Sequence, residues 1–246
     1  MIDRYGDKKY LAKYDLCMDF FDKFDLKIND IIPVRNVYMI STDKGEKILK
    51  KVEYTLDELK FIYEVLDYVR SKFPRVINFV KNKSGHIYTI WKGDMYCIMD
   101  MVNGKECNFS NPVDLDIASK GLAEYHLASE GFKSSMNNKY NNGRLIDVFK
   151  RRVQEMEFFR SIADIHEKKT EFDKIFIYNS RHYIREIEKS EKLLEKSCYY
   201  KLCSEEDKIA VCHHDLAYHN ILINDNKAYF VDFDYAIIDL KVHDLC

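Results

Sequence analysis

The stretch from 213 to 234, "HHDLAYHNILINDNKAYFVDFD", sets two carboxylates and an amide, Asp215, Asn220 and Asp232, in a segment otherwise rich in strand-forming apolar residues. Its first half fits H-x-D-L-x-x-x-N, the pattern of a phosphotransferase catalytic loop, in which the aspartate accepts a proton and the asparagine holds a metal ion. In the second half, 221–223 and 228–231 read as two short strands joined by "NDNK". Asn220 opens the first strand and Asp232 closes the second. An antiparallel hairpin returns both to one end, where cross-strand neighbours stand about 5 Å apart. That spacing suits Mg2+, which takes hard oxygen ligands and neutralises charge between the phosphates of a nucleotide such as ATP. Where protein kinases have "DFG", this chain has "DFD". It therefore lacks there the glycine that tolerates positive φ and lets the segment flip.

A nucleotide site of this kind also needs a lysine from a strand that precedes a helix, and "KILKK" offers Lys50 or Lys51. Strand alternation favours Lys50. It shares an apolar face with Ile48 and Val52, where a lone ammonium requires a partner, whereas Lys51 shares its face with Lys47 and Glu53. Glu58 and Glu64 are the carboxylates the following helix could supply. The helical wheel puts Glu58 beside Ile62 on the apolar stripe and favours it, although Glu58 also completes a capping box with Thr55. No G-x-G-x-x-G stretch exists, and the turn between the first two expected strands holds only Gly45, so any phosphate-covering lid must work differently.

The elements that must position these residues fall into two groups. Residues 10–24 read as a helix. Strands follow at 37–41 and 46–52 around "TDKG", then a helix from Thr55 with Leu59, Ile62, Leu66 and Val69 on one face, then strands at 76–80, 86–90 and 95–101. The expectation is a five-stranded antiparallel sheet with one inserted helix. Beyond 101 the pattern turns helical. Asn111 caps a helix with Pro112 at its first position and Gly131 after its end, and long helices follow at 144–169 and 180–197, with Leu145, Phe149, Met156 and Phe159 marking a buried face. A small sheet lobe (1–101) and a larger helical lobe carrying the late hairpin (102–246) make an α+β, bilobal, protein kinase-like layout.

An apolar share of 46% over 246 residues is ample for such cores. Lysine plus arginine (39) nearly balance aspartate plus glutamate (41), which gives no reason to expect nucleic acid or an anionic membrane as partner. The charged N-terminus lacks the apolar core of a signal peptide, so synthesis in the cytoplasm is expected. Seven cysteines without a C-x-x-C pair suggest neither a disulfide framework nor a zinc finger.

With these motifs in place, the chain resembles the aminoglycoside and choline kinase-like superfamily, and within it the CotS-type spore coat proteins. "VRNVYMISTDKGEKILKKVEYT" is similar to that family's first hairpin and lysine strand, "IMDMVNGKECN" to the segment linking its lobes, and "ASKGLAEYHLASEGF" to its first large-lobe helix. "HHDLAYHNILI" with "YFVDFDYAIIDLKVHDL" is similar to its catalytic loop and metal segment. The resemblance implies Asp215 as catalytic base, His213 as a brace of the loop, Asn220 and Asp232 as Mg2+ ligands, and Lys50 as the lysine that meets the ATP phosphates. Asp234 and Asp244 match acidic positions without an assigned role. The family's large lobe continues beyond "HDL" while this sequence stops at Cys246, so the expectation is a C-terminally truncated, poorly soluble lobe.

Two functions follow as expectations. One is an ATP- and Mg2+-dependent phosphotransferase acting on a hydroxyl of a small molecule. A protein acceptor is disfavoured because the A-P-E element that builds a peptide platform is missing. The other is a non-catalytic component of a spore coat, with other coat proteins as partners and nucleotide bound weakly or not at all.

Overall fold

The chain is described by a computed structural model over residues 16–245. Among the described residues, nine of the eleven strands and three of the six α-helices belong to one compact unit, formed by those up to Phe132 together with His213–Ala236. The main sheet has the order β1 (Ile28–Val34), β2 (Val37–Thr42), β3 (Gly45–Val52), β6 (Asp94–Asp100), β4 (Phe79–Val80), with β5 (Thr89–Trp91) also paired to β6 and every pairing antiparallel. β1 was not expected from the sequence. It is an edge strand, mostly exposed and interrupted by Pro33, so it shows no clean alternation of apolar residues. Its presence moves the first turn of the sheet from Gly45 to Arg35–Asn36, which contains no glycine, and Arg35 takes φ 53° there.

Direct cross-strand pairing puts Val37, Lys50 and Cys97 on one rung, with Lys50 on the face of Ile48 and Val52 as alternation predicts. The opposite face differs from expectation. Leu49 lies under a cluster of Leu16, Phe20, Phe21, Phe24, Tyr38, Ile40, Tyr96 and Ile98, all buried. Lys47, expected in water, is buried there too, its Nζ donating to Asp100 Oδ1 at 2.8 Å and to the Lys44 carbonyl at 2.7 Å. The helix expected over 10–24 contributes a single turn, α1 (Met18–Phe21), and its residues 10–15 lie outside the described residues.

Helix α2 (Leu56–Arg70) starts at Thr55 with both halves of the expected capping box formed, and buries Leu59, Ile62, Leu66 and Val69. Helix α3 (Pro112–Ser129) is capped by Asn111, whose side chain accepts from the Val113 N–H, and it ends before Gly131 at φ 75°. α3 carries the late hairpin. A Cβ on Gly121 would stand 2.7 Å from that of Ala228, so the absent side chain lets helix and strand touch. The hairpin strands β9 (Ile221–Asn224) and β10 (Lys227–Phe230) are flanked by β7 (Lys105–Glu106) on one edge. On the other edge they meet the 75–76 segment, where Phe230 N donates to the Arg75 carbonyl. Neither backbone edge is left open.

The second unit comprises Lys133–Cys212 and the residues from Ile237 onward. Its long helices are α4 (Leu145–Ile165) and α5 (Glu171–Glu195), which pack together, followed by the short α6 (Tyr199–Leu202). The face expected to be buried along α4 is only partly covered: Leu145, Phe149 and Met156 are half-buried and Phe159 is 53% exposed, while Ile146 and Ala163 are the buried positions. Grouping by proximity places α3 and the hairpin with the sheet, so this division and a lobe boundary at 101/102 describe different things.

Strands β8 (Ile209–Cys212) and β11 (Ile237–Leu240) pair in the second unit around buried Asp239. Asp239 Oδ2 accepts from Asn141 Nδ2 and from His243 Nδ1, both at 2.6 Å. The Asp239 bond raises the His243 pKa above its ordinary 6.5, against a smaller opposing effect of burial. That contribution to stability is complete below pH 6.5 and is lost as pH rises through the raised value. For Asp239, burial acts upward, but the bonds from His243 and Asn141 hold it below 3.8, so its contribution is present above pH 3.8 and lost as pH falls through the lowered value. His243→Gln is expected to lower the melting temperature at about pH 5.5 and to do so much less at about pH 9. An equal loss at both would mean that the ion pair is not what His243 supplies.

Candidate active site

The hairpin register settles where the motif residues meet. Ile221 pairs with Phe230, and Val231 N donates to the Asn220 carbonyl at 3.0 Å, so Asn220 and Asp232 emerge at the same end, as the sequence pattern predicts. Asp232 then adopts φ 63°, a left-handed conformation that aspartate tolerates better than most residues. The glycine of a D-F-G segment is therefore not where the positive φ falls in this chain. It falls on the first aspartate.

Ahead of the hairpin, a 3-10 turn at Tyr218–Asn220 brings Asn220 back towards Asp215. Asn220 Nδ2 donates to the Asp215 carbonyl at 2.9 Å and to Asp215 Oδ2 at 3.1 Å. These bonds fix the amide orientation and leave Oδ1 as the atom able to take a ligand. His213 is fully buried, and both of its ring nitrogens act within the loop: Nε2 donates to the Val231 carbonyl at 2.8 Å and Nδ1 accepts from Asp215 N at 3.3 Å. Its ring packs on Phe233 with centroids 4.6 Å apart, and Phe233 in turn packs on Tyr125. The histidine thus ties the backbone before Asp215 to the backbone before Asp232.

Lys50 completes the cluster. Its Nζ donates to Asp232 Oδ1 at 2.8 Å and to Asp234 Oδ2 at 2.6 Å, with only 17% of its side chain exposed. Glu58, anticipated as the lysine's partner, instead accepts from Thr55 N at 3.0 Å and Thr55 Oγ1 at 2.9 Å, so the capping role takes its carboxylate and the ion pairs of Lys50 go to the hairpin end. Asp234 was not assigned this position from the sequence. Its one trace in the sequence is the D-x-D spacing, but with Asp232 at φ 63° the segment is not extended and strand alternation does not place the Asp234 side chain. Cys97, across from Lys50 on its rung, is buried, which pushes its thiol up to about 12 and leaves it a neutral packing group. Tyr54, also missed, has a hydroxyl pushed far up by burial and by the Asp234 charge. Asp244 lies in the second unit, on the 3-10 turn Lys241–Leu245.

Two carboxylates around one ammonium divide unequally. For Lys50, burial acts to lower the pKa, but the charges of Asp234 and Asp232 outweigh it and the ammonium is held. For Asp232, burial acts upward, and the charge and bond of Lys50 overcome it, so the carboxylate stays below its usual range. For Asp234, burial together with the Asp232 charge prevails and the pKa is raised. Oxygen donors from Asn220, Asp232 and Asp234 are the hard set that Mg2+ takes, and they fit such an ion. The larger described groove, of about 800 Å³, is lined by Arg75, Ile117, Lys120, Glu124 and Lys227 and holds none of these residues.

The sequence model of the family described as "Spore coat putative kinase YutH" matches residues 18–246. The chain belongs to this family. Among solved structures, this family member is similar to an aminoglycoside phosphotransferase from Alicyclobacillus acidocaldarius, at 20% identity and TM-score 0.75 over 94% of this chain and 69% of that one. It is also similar to spectinomycin phosphotransferase APH(9)-Ia (16%, 0.69, 97% and 72%) and to amicoumacin kinase hAmiN (12%, 0.64, 97% and 69%). At these identities the likeness establishes a shared α+β, kinase-like fold. The YutH-family chain thus has the kinase-like fold that the sequence resemblance implied.

The unequal pair makes a prediction about stability without any ligand. The lowered pKa of Asp232 means that its ionised form stabilises the fold above pH 3.8, whereas the raised pKa of Asp234 means that ionisation there withdraws stability as pH rises above 3.8. At neutral pH, Asp232→Asn is expected to lower the melting temperature and Asp234→Asn to raise it, each kcal/mol appearing as about 2–4 °C in a chain of this size. Differential scanning calorimetry decides, and a drop in both variants would mean that Lys50 requires both carboxylates to remain buried.

Proposed function

We propose that this protein is an ATP- and Mg2+-dependent phosphotransferase that phosphorylates a hydroxyl of a small molecule in a spore-coat setting. The observation that carries the reading is the convergence, inside one compact unit, of Lys50, Asp215, Asn220, Asp232 and Asp234. The neighbours add support: the spectinomycin phosphotransferase structure is an AMP-bound complex, and the amicoumacin kinase structure contains AMP-PNP and Ca2+.

In this reading Asp215 takes the proton of the acceptor hydroxyl as its oxygen bonds to the γ-phosphorus and the bond to the β-phosphate oxygen breaks, releasing ADP. Asn220, whose bonds to Asp215 set both side chains, also keeps that carboxylate aimed. Lys50 is a buried ammonium suited to the α- and β-phosphates. Asn220, Asp232 and Asp234 would hold Mg2+, which supplies charge neutralisation on the phosphates. His213 keeps the loop and the hairpin end in register through its two ring nitrogens.

A second reading, a non-catalytic coat component with weak or no nucleotide binding, draws on the engagement of Glu58 in its capping box and of Lys50 with two carboxylates.

The test is thermal melting of the natural protein and of Asp232→Asn, each with and without ATP plus Mg2+. A ligand at a hundredfold its dissociation constant stabilises by about 2.7 kcal/mol, or roughly 5–10 °C here. A shift in the natural protein that the variant lacks supports the transferase reading and directs work to acceptors. No shift in either favours the coat-component reading.

A further inference from the structure

The first turn of the main sheet is the place where a kinase-like fold covers the phosphates, and here it is two residues, Arg35 and Asn36, between the paired Val34 and Val37. A two-residue hairpin turn at positive φ favours glycine, asparagine or aspartate, yet the residue at φ 53° is an arginine. Lys92, in the turn before β6, has a similar φ of 50°, so the backbone alone does not mark Arg35, and what distinguishes it is where its side chain reaches.

The register locates that cation. Val37 pairs with Lys50, and Lys50 with Cys97, so the turn extends just beyond the rung that carries the lysine and at the same end of the sheet. The Arg35 side chain shows where it reaches: Nη2 donates to Glu106 Oε1 at 2.7 Å. Glu106 lies on β7, opposite Leu222 of β9, and the next residue, Cys107, donates its N–H to the carbonyls of Tyr218 and Ile221, which flank Asn220. The arginine of the sheet's first turn is therefore tethered beside the segment that delivers Asn220. The pair is open to water, with 61% of the arginine and 42% of the glutamate side chain exposed. An exposed ion pair is weak, so an anion of higher charge displaces the carboxylate with little loss.

We propose that Arg35 is a phosphate-binding residue of the nucleotide site and that Glu106 is its resting partner, exchanged for the terminal phosphates of a nucleoside triphosphate when that ligand enters. A guanidinium offers planar, paired donors matched to phosphate oxygens, which suits it to the role in a turn that has no glycine-rich run. This proposal rests on the transferase reading and deepens it.

Isothermal titration calorimetry on the full chain tests it, with MgATP and adenosine as probes of the natural protein, Arg35→Ala and Glu106→Gln. Both substituted side chains are largely exposed, so folding is expected to survive, and melting curves check that. Arg35→Ala is expected to weaken MgATP about tenfold or more while leaving adenosine unchanged. Glu106→Gln, which removes the competing carboxylate, is expected to tighten MgATP. MgATP binding that is equal in Arg35→Ala and the natural protein would overturn the proposal and leave the transferase reading standing. A Glu106→Gln variant that weakens MgATP as Arg35→Ala does would overturn it too, because the pair would then be a structural brace. Absence of MgATP binding by the natural protein would overturn both.

Discussion

One ammonium held between two carboxylates organises the candidate site. Lys50 belongs to the main sheet, whereas Asp232 and Asp234 follow a hairpin built on α3, and the bonds joining them connect residues 182 and 184 positions apart. Everything nearby keeps those charges at hydrogen-bond distance. The Val37–Lys50–Cys97 rung fixes where the lysine starts. The Asn220–Val231 backbone bond fixes where the hairpin ends, and His213, bridging Val231 and Asp215, ties the loop before β9 to that end. A buried charge is tolerated only when it is paired, and here two carboxylates, Asp234 at 24% exposure and Asp232 at 45%, share the one largely buried ammonium of Lys50. The imbalance is the reason one carboxylate is pushed up while the other is held down.

Rigidity beneath that charge cluster comes from aromatic packing rather than from more polar bonds. Phe233, between the two aspartates, packs on His213 and Tyr125, and Tyr125 meets Phe73 and Phe230 at centroid distances of 6.0 and 5.8 Å. Such pairs contribute about 0.5–1.5 kcal/mol each beyond the area they bury. The helical glycine at 121 belongs to the same design. It weakens α3 by about 1 kcal/mol relative to alanine, and in exchange the helix backbone lies directly against Ala228, so the hairpin cannot tilt.

What could be read in advance was local. The hairpin, the Thr55 capping box and the Asn111–Pro112 helix start each depend on residues within a few positions, and each formed as expected. The misreadings share a different cause. β1 is an exposed edge strand with a proline, so its pairing with β2 and not its composition makes it a strand. Lys47 looked solvated because its strand face is charged in sequence, but Phe20, Phe21 and Phe24 close over that face from outside the sheet. Asp234 as partner of Lys50 could not be derived from helical or strand periodicity, since only the folded chain brings them together.

Glu58 shows how one carboxylate can satisfy two patterns and serve only one in a given state. Its spacing from Thr55 makes a capping box, and its place on the wheel makes it a candidate for Lys50. Two bonds to Thr55 outcompete a lysine that already has two acceptors. Releasing the Glu58 carboxylate would forfeit its half of the capping box, the bonds from Thr55 N and Oγ1, while the Glu58 N bond to Thr55 Oγ1 remained, and it would gain nothing while Asp232 and Asp234 remain available to the ammonium. The balance changes only if another cation takes those two carboxylates. Lys50 would then need a new acceptor, and phosphate oxygens or Glu58 are the groups that could supply it. In the transferase reading proposed above, the arrangement around Lys50 therefore couples the carboxylates assigned to the metal with the lysine assigned to the phosphates through a shared pair of oxygens, with the helix cap as the fixed term against which any rearrangement must compete.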